Sequence, residues 1–183
     1  MWELKEPKPV KLIVGMLACD ERSLTAAQAR LASAFGPVDL VSDTWPFEQT
    51  DYYADQIGPH IVRQFVSFAD LIAPGELADI KHRTNALEQE LAETLAVAFA
   101  RPVNLDPGLI EPSKLILATT KNYAHRIYIG KKMYAEVTLV FDKGRWHPLP
   151  YTYPDYQRQE YFDFFGRVRD RLVQQLRSMA SEK

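Results

Sequence analysis

Between Arg101 and Tyr156 the chain sets reactive polar side chains inside runs that otherwise read as strands. Thr119 with Lys121, His125 with Arg126 and Tyr128, and Glu136 with Thr138 fall in three successive runs of this kind. Alternation along a strand sorts side chains to two faces. In the run from Tyr134, residues Ala135, Val137, Leu139 and Phe141 take one face, which reads as core. Glu136 and Thr138 take the other, which is available for chemistry. If the runs are antiparallel neighbours, Lys121, Arg126, Tyr128, Glu136 and Thr138 collect on one face. Arginine offers phosphate or carboxylate a planar fork, and lysine offers a compact point charge. Glu136 would orient the arginine or act as a base, and His125 is the candidate general acid or base beside it. A surface ladder of cross-strand salt bridges is the competing reading of the same pattern.

Asn104-Leu-Asp-Pro-Gly108 is a second candidate. On a regular strand Asn104 and Asp106 point the same way. An amide and a carboxylate ahead of a sharp turn suit Mg²⁺, with Asp106 as ligand, or a sugar hydroxyl. They equally suit the turn's own N–H groups. Arg63, Lys81 and Asn85 could reach the same region, the last two sharing one helix face. Asp155 is both a candidate ligand contact and the expected cap of the last helix. The tyrosine clusters Thr50–Tyr53 and Tyr151–Tyr156 could stack on a base or sugar, or seal loops over a core.

Several chemistries lack their motif. The four histidines form no metal spacing, and no paired Cys–His pattern exists. Gly130-Lys-Lys132 lacks the upstream glycine and the hydroxyl residue of a phosphate loop. There is no G-x-G-x-x-G and no G-x-S-x-G. No cofactor is identified.

These residues need a scaffold, and 183 residues are enough for one domain with a substantial core. The net charge of -2 argues against a general nucleic-acid or membrane-surface binder. The two halves differ, however. Residues 1–100 hold 8 basic and 15 acidic residues, and residues 101–183 hold 14 and 9. The basic half is also the half with the polar strands, so an anionic ligand is easier to place there. Cys19 is the one cysteine, which excludes an internal disulfide and fits a reducing cytoplasm. No apolar run approaches the roughly 20 residues that span a bilayer.

After a polar lead over residues 1–9, Val10 to Leu17 reads as a buried strand. Ser23 is the expected cap of a helix with Leu24, Ala27, Leu31, Ala34 and Phe35 on its apolar face. Strands follow at Val38–Ser42 and at Ile61–Ile72, where helix is the competing reading because the run is long and has no Gly or Pro. Pro74-Gly75 opens a helix that runs to Arg101-Pro102. Val103–Asp106 reads as a short strand closed by Pro107-Gly108. Strands at Lys114–Lys121, His125–Ile129 and Tyr134–Phe141 complete the sheet, and Asp142-Lys-Gly-Arg145 is a hairpin turn. A final helix carries Tyr161, Phe165, Val168, Leu172 and Leu176. The expected fold is α+β: a ferredoxin-like βαββαβ core, extra antiparallel strands, and a C-terminal helix covering the sheet.

Taken together, Thr50–Tyr53, Arg63 with Ser67-Phe68, Lys81 with Asn85 and Glu88, Arg101–Gly108, Leu117–Lys121, His125–Tyr128, Tyr134–Leu139 and Thr152–Tyr156 resemble a bacterial family known as domain-of-unknown-function family 4416. The resemblance runs from about Val10 to Leu172. It implies one intact domain and carries no established activity. One departure is Gln56-Ile57-Gly58, where the family pattern has an acidic residue and Met before the glycine.

The leading expectation is a cytoplasmic protein that binds a small anionic molecule, a nucleotide or sugar phosphate, on the polar face of its sheet. The alternatives are a hydrolase or transferase using His125 and Glu136, and a structural or RNA-binding module stacking bases on Tyr128 and Tyr134.

Overall fold

Val10–Ala18 is apolar at odd and even positions alike, a pattern that calls for cover on both faces. Every residue of this strand, β1, is buried. The computed structural model of the protein, which describes residues 2–48 and 54–181, places β1 near the middle of a nine-stranded antiparallel sheet. The other elements are α1 (Glu21–Phe35), β2 (Val38–Val41), β3 (Trp45–Pro46), α2 (Ala54–Ile57), β4 (Val62–Ile72), α3 (Leu77–Thr94), β5 (Val103–Ile110), β6 (Lys114–Thr119), β7 (Ile127–Gly130), β8 (Met133–Asp142), β9 (Arg145–Pro148) and α4 (Gln159–Ser181). The strand order is β2-β4-β1-β5-β6-β8-β7, with β3 also on β4 and β9 also on β8. The expected tyrosine cluster Thr50–Tyr53 lies outside the described residues.

Two apolar layers sandwich the sheet. Leu12, Val14 and Met16 pack with Leu24, Ala27 and Leu31 of α1 and with Ile80, Leu87 and Leu91 of α3. On the opposite face, Ile13, Phe65, Leu115 and Leu139 pack under Tyr161, Phe164, Phe165, Val168 and Leu172 of α4. The C-terminal helix therefore covers the sheet as expected. A buried lysine pins its far end: Lys11 Nζ donates to the Phe68 carbonyl at 2.7 Å and to Gln175 of α4 at 2.9 Å, and pairs with Asp39 at 2.8 Å.

Four local expectations are corrected. Asp20, not Ser23, caps α1: its carboxylate accepts from the Ser23 amide at 2.7 Å. α3 ends at Thr94, not at Arg101. Leu95 turns extended, and the segment beyond it packs Phe99 across Gly58 and bonds the Arg101 amide to the Gln56 carbonyl. Tertiary contacts here override a helix-compatible sequence. β7 begins at Ile127, so His125 and Arg126 lie in the preceding turn, outside the strand's alternation. Asp155 sits in a short 3₁₀ turn, Pro154–Gln157, ahead of α4.

The fifth correction shapes the site. Pro107-Gly108 does not close β5; the strand runs straight through to Ile110. β5 pairs with β1 along its whole length, but with β6 only from Gly108 to Ile110. The sheet therefore forks, with residues 103–107 diverging from the end of β6. Pro107 is tolerated because its missing N–H lies on the unpaired side. Gly108 is the vertex: a Cβ there would sit 2.5 Å from the Ile116 carbonyl oxygen of β6.

Candidate functional site

A fork in a sheet strands backbone groups that would otherwise bond to a neighbouring strand, and buried ones must find partners. Here α3 supplies them. The Leu105 amide donates to Glu88 Oε1 at 2.7 Å, and the Leu105 carbonyl accepts from Lys81 Nζ at 2.8 Å. Lys81, Asn85 and Glu88 recur at helical spacing on the face of α3 turned to β5. Lys81 also approaches Asp106 Oδ1 at 3.5 Å, while Asn104 Nδ2 donates to Asp106 Oδ2 at 2.7 Å. Arg101 closes the ring by donating to both Glu88 and Asn104. Burial raises the Glu88 pKa, against the opposing pull of Lys81 and Arg101.

The fork opens into a cleft of about 800 Å³. α3 contributes Lys81, Asn85 and Glu88 to its wall, and β5 contributes Asn104 and Asp106. Thr119, Thr120 and Lys121 enter from the end of β6, Arg126 from the turn before β7, and Glu136 from β8. Arg63 of β4 and Asp155 complete it from the α4 side. Among the described residues, five basic and four acidic side chains line the cleft, and each carboxylate faces a cation.

Arg63 is buried, at 3% exposure. Its Nη2 donates to Asp155 Oδ2 at 2.9 Å. Its carbon centre lies 5.2–5.7 Å from the rings of Phe47, Phe65 and Tyr156, a cation–π cage. Its Nε and Nη1 have no hydrogen-bond partner, and neither has the Tyr156 hydroxyl. Burial raises the Asp155 pKa, with Arg63 opposing and Asp106 reinforcing. Burial likewise raises the Tyr156 pKa well above its ordinary value, so the phenol keeps its proton. Burial works against the Arg63 charge, but Tyr156, Asp155 and Asp106 outweigh it and raise its pKa.

At the other end, Arg126 Nε donates to Glu136 Oε2 at 2.7 Å, and its Nη1 reaches the Lys121 carbonyl at 3.1 Å. His125 Nε2 lies 3.2 Å from the same Glu136 oxygen, with its ring stacked on Tyr151 at 4.2 Å. Glu136 itself is not solvated: it is buried, at 4% exposure, whereas Tyr128 and Tyr134 continue the same face to the exposed sheet edge. Strict alternation along β8 also fails. The register with β6 slips between Leu115 and Ile116, so Leu139 joins the face of Glu136.

Of the residues expected at a site, Arg63, Lys81, Asn104, Asp106, Thr119, Lys121, Arg126, Glu136 and Asp155 all border the cleft. Three do not. His125 lies behind Glu136. Tyr128 is exposed at 57% and packs on Tyr134. Thr138 is buried, its carbonyl accepting from Thr152 Oγ1 at 2.6 Å. Asp106 was the candidate metal ligand; among the described residues no group of three or more His, Cys, Asp or Glu is placed to hold an ion. Among the same residues no helix is long and apolar enough to cross a membrane.

A family model described as a domain of unknown function (DUF4416) matches residues 8–172 of the 183-residue chain. The protein belongs to the DUF4416 family. No curated protein and no solved structure matches it. The matched span of this DUF4416 chain contains every residue of the cleft. Two charged wall residues, Glu88 and Arg101, were given no site role from the sequence. Glu88 was legible as the residue seven after Lys81 on one helix face. Arg101 carried no such signal, because its contacts with Glu88 and Asn104 depend on the fork, whereas Tyr156 was legible only as a member of the Tyr151–Tyr156 cluster.

Proposed function

We propose that the protein binds a small phosphorylated molecule, a nucleotide or sugar phosphate, in the cleft at the β5–β6 fork. One observation carries the reading: polar residues from β4, α3, β5, β6, β8 and the turn before β7 border a single cleft large enough for such a ligand. The phosphate belongs at the Thr119–Lys121 and Arg126 end, where hydroxyls, an ammonium and a guanidinium offer donors. Membership of the family adds no activity. The lone Cys19 thiol supports a reducing cytoplasm. We further read β1, α1, β2, β4, α3 and β5 as a ferredoxin-like core, a reading supported by the antiparallel order β2-β4-β1-β5.

A thermal-shift series with AMP, ribose 5-phosphate, glucose 6-phosphate and inorganic phosphate tests the binding. A ligand at 100 times its Kd adds about 2.7 kcal/mol, or roughly 5–10 °C in Tm for a chain of this size. The gain should shrink with added salt and in Lys121→Gln. If no probe moves Tm at tens of millimolar, the cleft is not a phosphate site.

The contact between His125 and Glu136 favours a second reading, a hydrolase or transferase with this pair as acid and base. Arg126 engages the same carboxylate oxygen, and the imidazole stands outside the cleft wall, so the pair also fits a purely structural role. Turnover of any bound phosphorylated compound should then vanish in His125→Gln and Glu136→Gln while both variants stay folded. Full turnover in both would end this reading.

A further inference from the structure

Gly15 of β1 stands between Arg63 and Asp106. In the register of the sheet, Asp106 of β5 lies directly opposite Gly15, and Arg63 of β4 lies opposite Leu17, two residues further along β1. The Arg63 side chain reaches back over Gly15: a Cβ there would sit 2.9 Å from Arg63 Nη1 and 3.1 Å from the Tyr156 hydroxyl. A glycine at this point lets the two polar groups converge toward Asp106. Both border the cleft, both are buried, and neither Nη1 nor the phenol oxygen has a partner.

Asp106 is held in one orientation. Asn104 occupies its Oδ2, while Lys81 stands 3.5 Å from Oδ1, too far for a strong hydrogen bond. The Asp106 side chain is 29% exposed, against 4% for Arg63 and 6% for Asp155, so it is the carboxylate of this end that a ligand meets. Two donors in need of an acceptor therefore face an acceptor in need of a donor. A phosphate or carboxylate would satisfy Arg63 but would be driven off by Asp106. An ammonium would satisfy Asp106 but would be driven off by Arg63 and Lys81. A hydroxyl satisfies both sides, accepting from Arg63 or Tyr156 and donating to Asp106.

We infer that the cleft selects polyol phosphates, with a ligand hydroxyl read by Asp106, Arg63 and Tyr156 at the Gly15 end. This rests on the phosphate-binding reading above, with the phosphate at the opposite end, near Lys121 and Arg126. A phosphorylated sugar or a nucleotide's ribose supplies such a hydroxyl. An alkyl phosphate supplies only the anion.

Isothermal titration with two matched pairs tests the inference: ribose 5-phosphate against n-pentyl phosphate, and AMP against its 2′,3′-dideoxy analogue, with inorganic phosphate as the bare anion. A hydrogen bond to a charged group corresponds to about tenfold or more in affinity. In at least one pair the hydroxylated member should bind about tenfold or more tightly. That advantage should disappear in Asp106→Asn, and should fall in Tyr156→Phe, which keeps the ring and its packing. The anion-only probes should bind Asp106→Asn as well as they bind the parent, or better, because a negative charge is gone. Equal affinity within both pairs, or an advantage that survives both variants, would overturn the inference while leaving phosphate binding intact. If inorganic phosphate and all four organic probes fail to bind, the phosphate reading itself is wrong and this one falls with it.

Discussion

Replacing Arg63 with Met is expected to destabilise the protein by roughly 3–5 kcal/mol at neutral pH, far more than the loss of one hydrogen bond. Met retains much of the aliphatic stem, so the loss is electrostatic. Arg63 and Asp155 are both buried, and they pair at 2.9 Å. Removing the guanidinium strands a carboxylate that burial already disfavours as an anion. A second change, Asp155→Asn, should then recover part of the loss, because the uncompensated charge is gone. The sign with pH follows from the raised Asp155 pKa. A carboxyl group raised in the folded state contributes stability below its unfolded pKa, near 3.8, and loses that contribution as pH rises through the folded value. The Arg63→Met defect should therefore be smaller near pH 4 than at pH 7. Urea unfolding of the two variants at both pH values decides it. A double variant less stable than Arg63→Met would show that Asp155 is not waiting on Arg63.

Phe65→Ala should cost a comparable 3–5 kcal/mol, for a different reason. Phe65 is fully buried, two positions along β4 from Arg63 and on the same face. Its ring meets Trp45, Tyr156, Tyr161, Phe164 and Phe165 at centroid distances of 4.8–6.4 Å. Truncation leaves a cavity in the layer that seats α4, and interiors relax only in part around such a void. The ring is also one wall of the Arg63 cage, at 5.3 Å. Affinity for any cleft ligand should therefore fall together with stability, whereas Phe65→Leu should lose much less of both. Urea unfolding with an unchanged m-value would show that the surface exposed on unfolding is unaltered, so that the midpoint shift reports the stability change directly. A loss under about 1 kcal/mol would mean that the aromatic layer repacks freely.

What could be read from the residues follows physical range. β1, the β8–β9 hairpin and the stripe of α4 rest on local periodicity and turn chemistry, and they stand where the sequence places them. Pro107-Gly108 misleads because Asp-Pro-Gly ordinarily turns a chain. Whether it does depends on how far β6 accompanies β5, which no local pattern records. The polar set of the later strands was legible as a set, but its surroundings were not. Glu136 reads as an outward residue, yet it is buried beside Arg126 and His125. The Arg63–Asp155 pair joins residues 92 apart, and only the docking of α4 brings them together.

The most direct test of a phosphate-binding cleft is its location in solution. Ribose 5-phosphate and AMP would be titrated separately into ¹⁵N-labelled protein, and the backbone amide shifts followed. The expected result is saturable shifts concentrated at Thr119–Lys121, Asn104–Asp106, Arg63 and Asp155-Tyr156, absent with unphosphorylated ribose and adenosine at the same concentrations. Shifts centred on α1 or on the β8–β9 hairpin, or none with either probe, would contradict it.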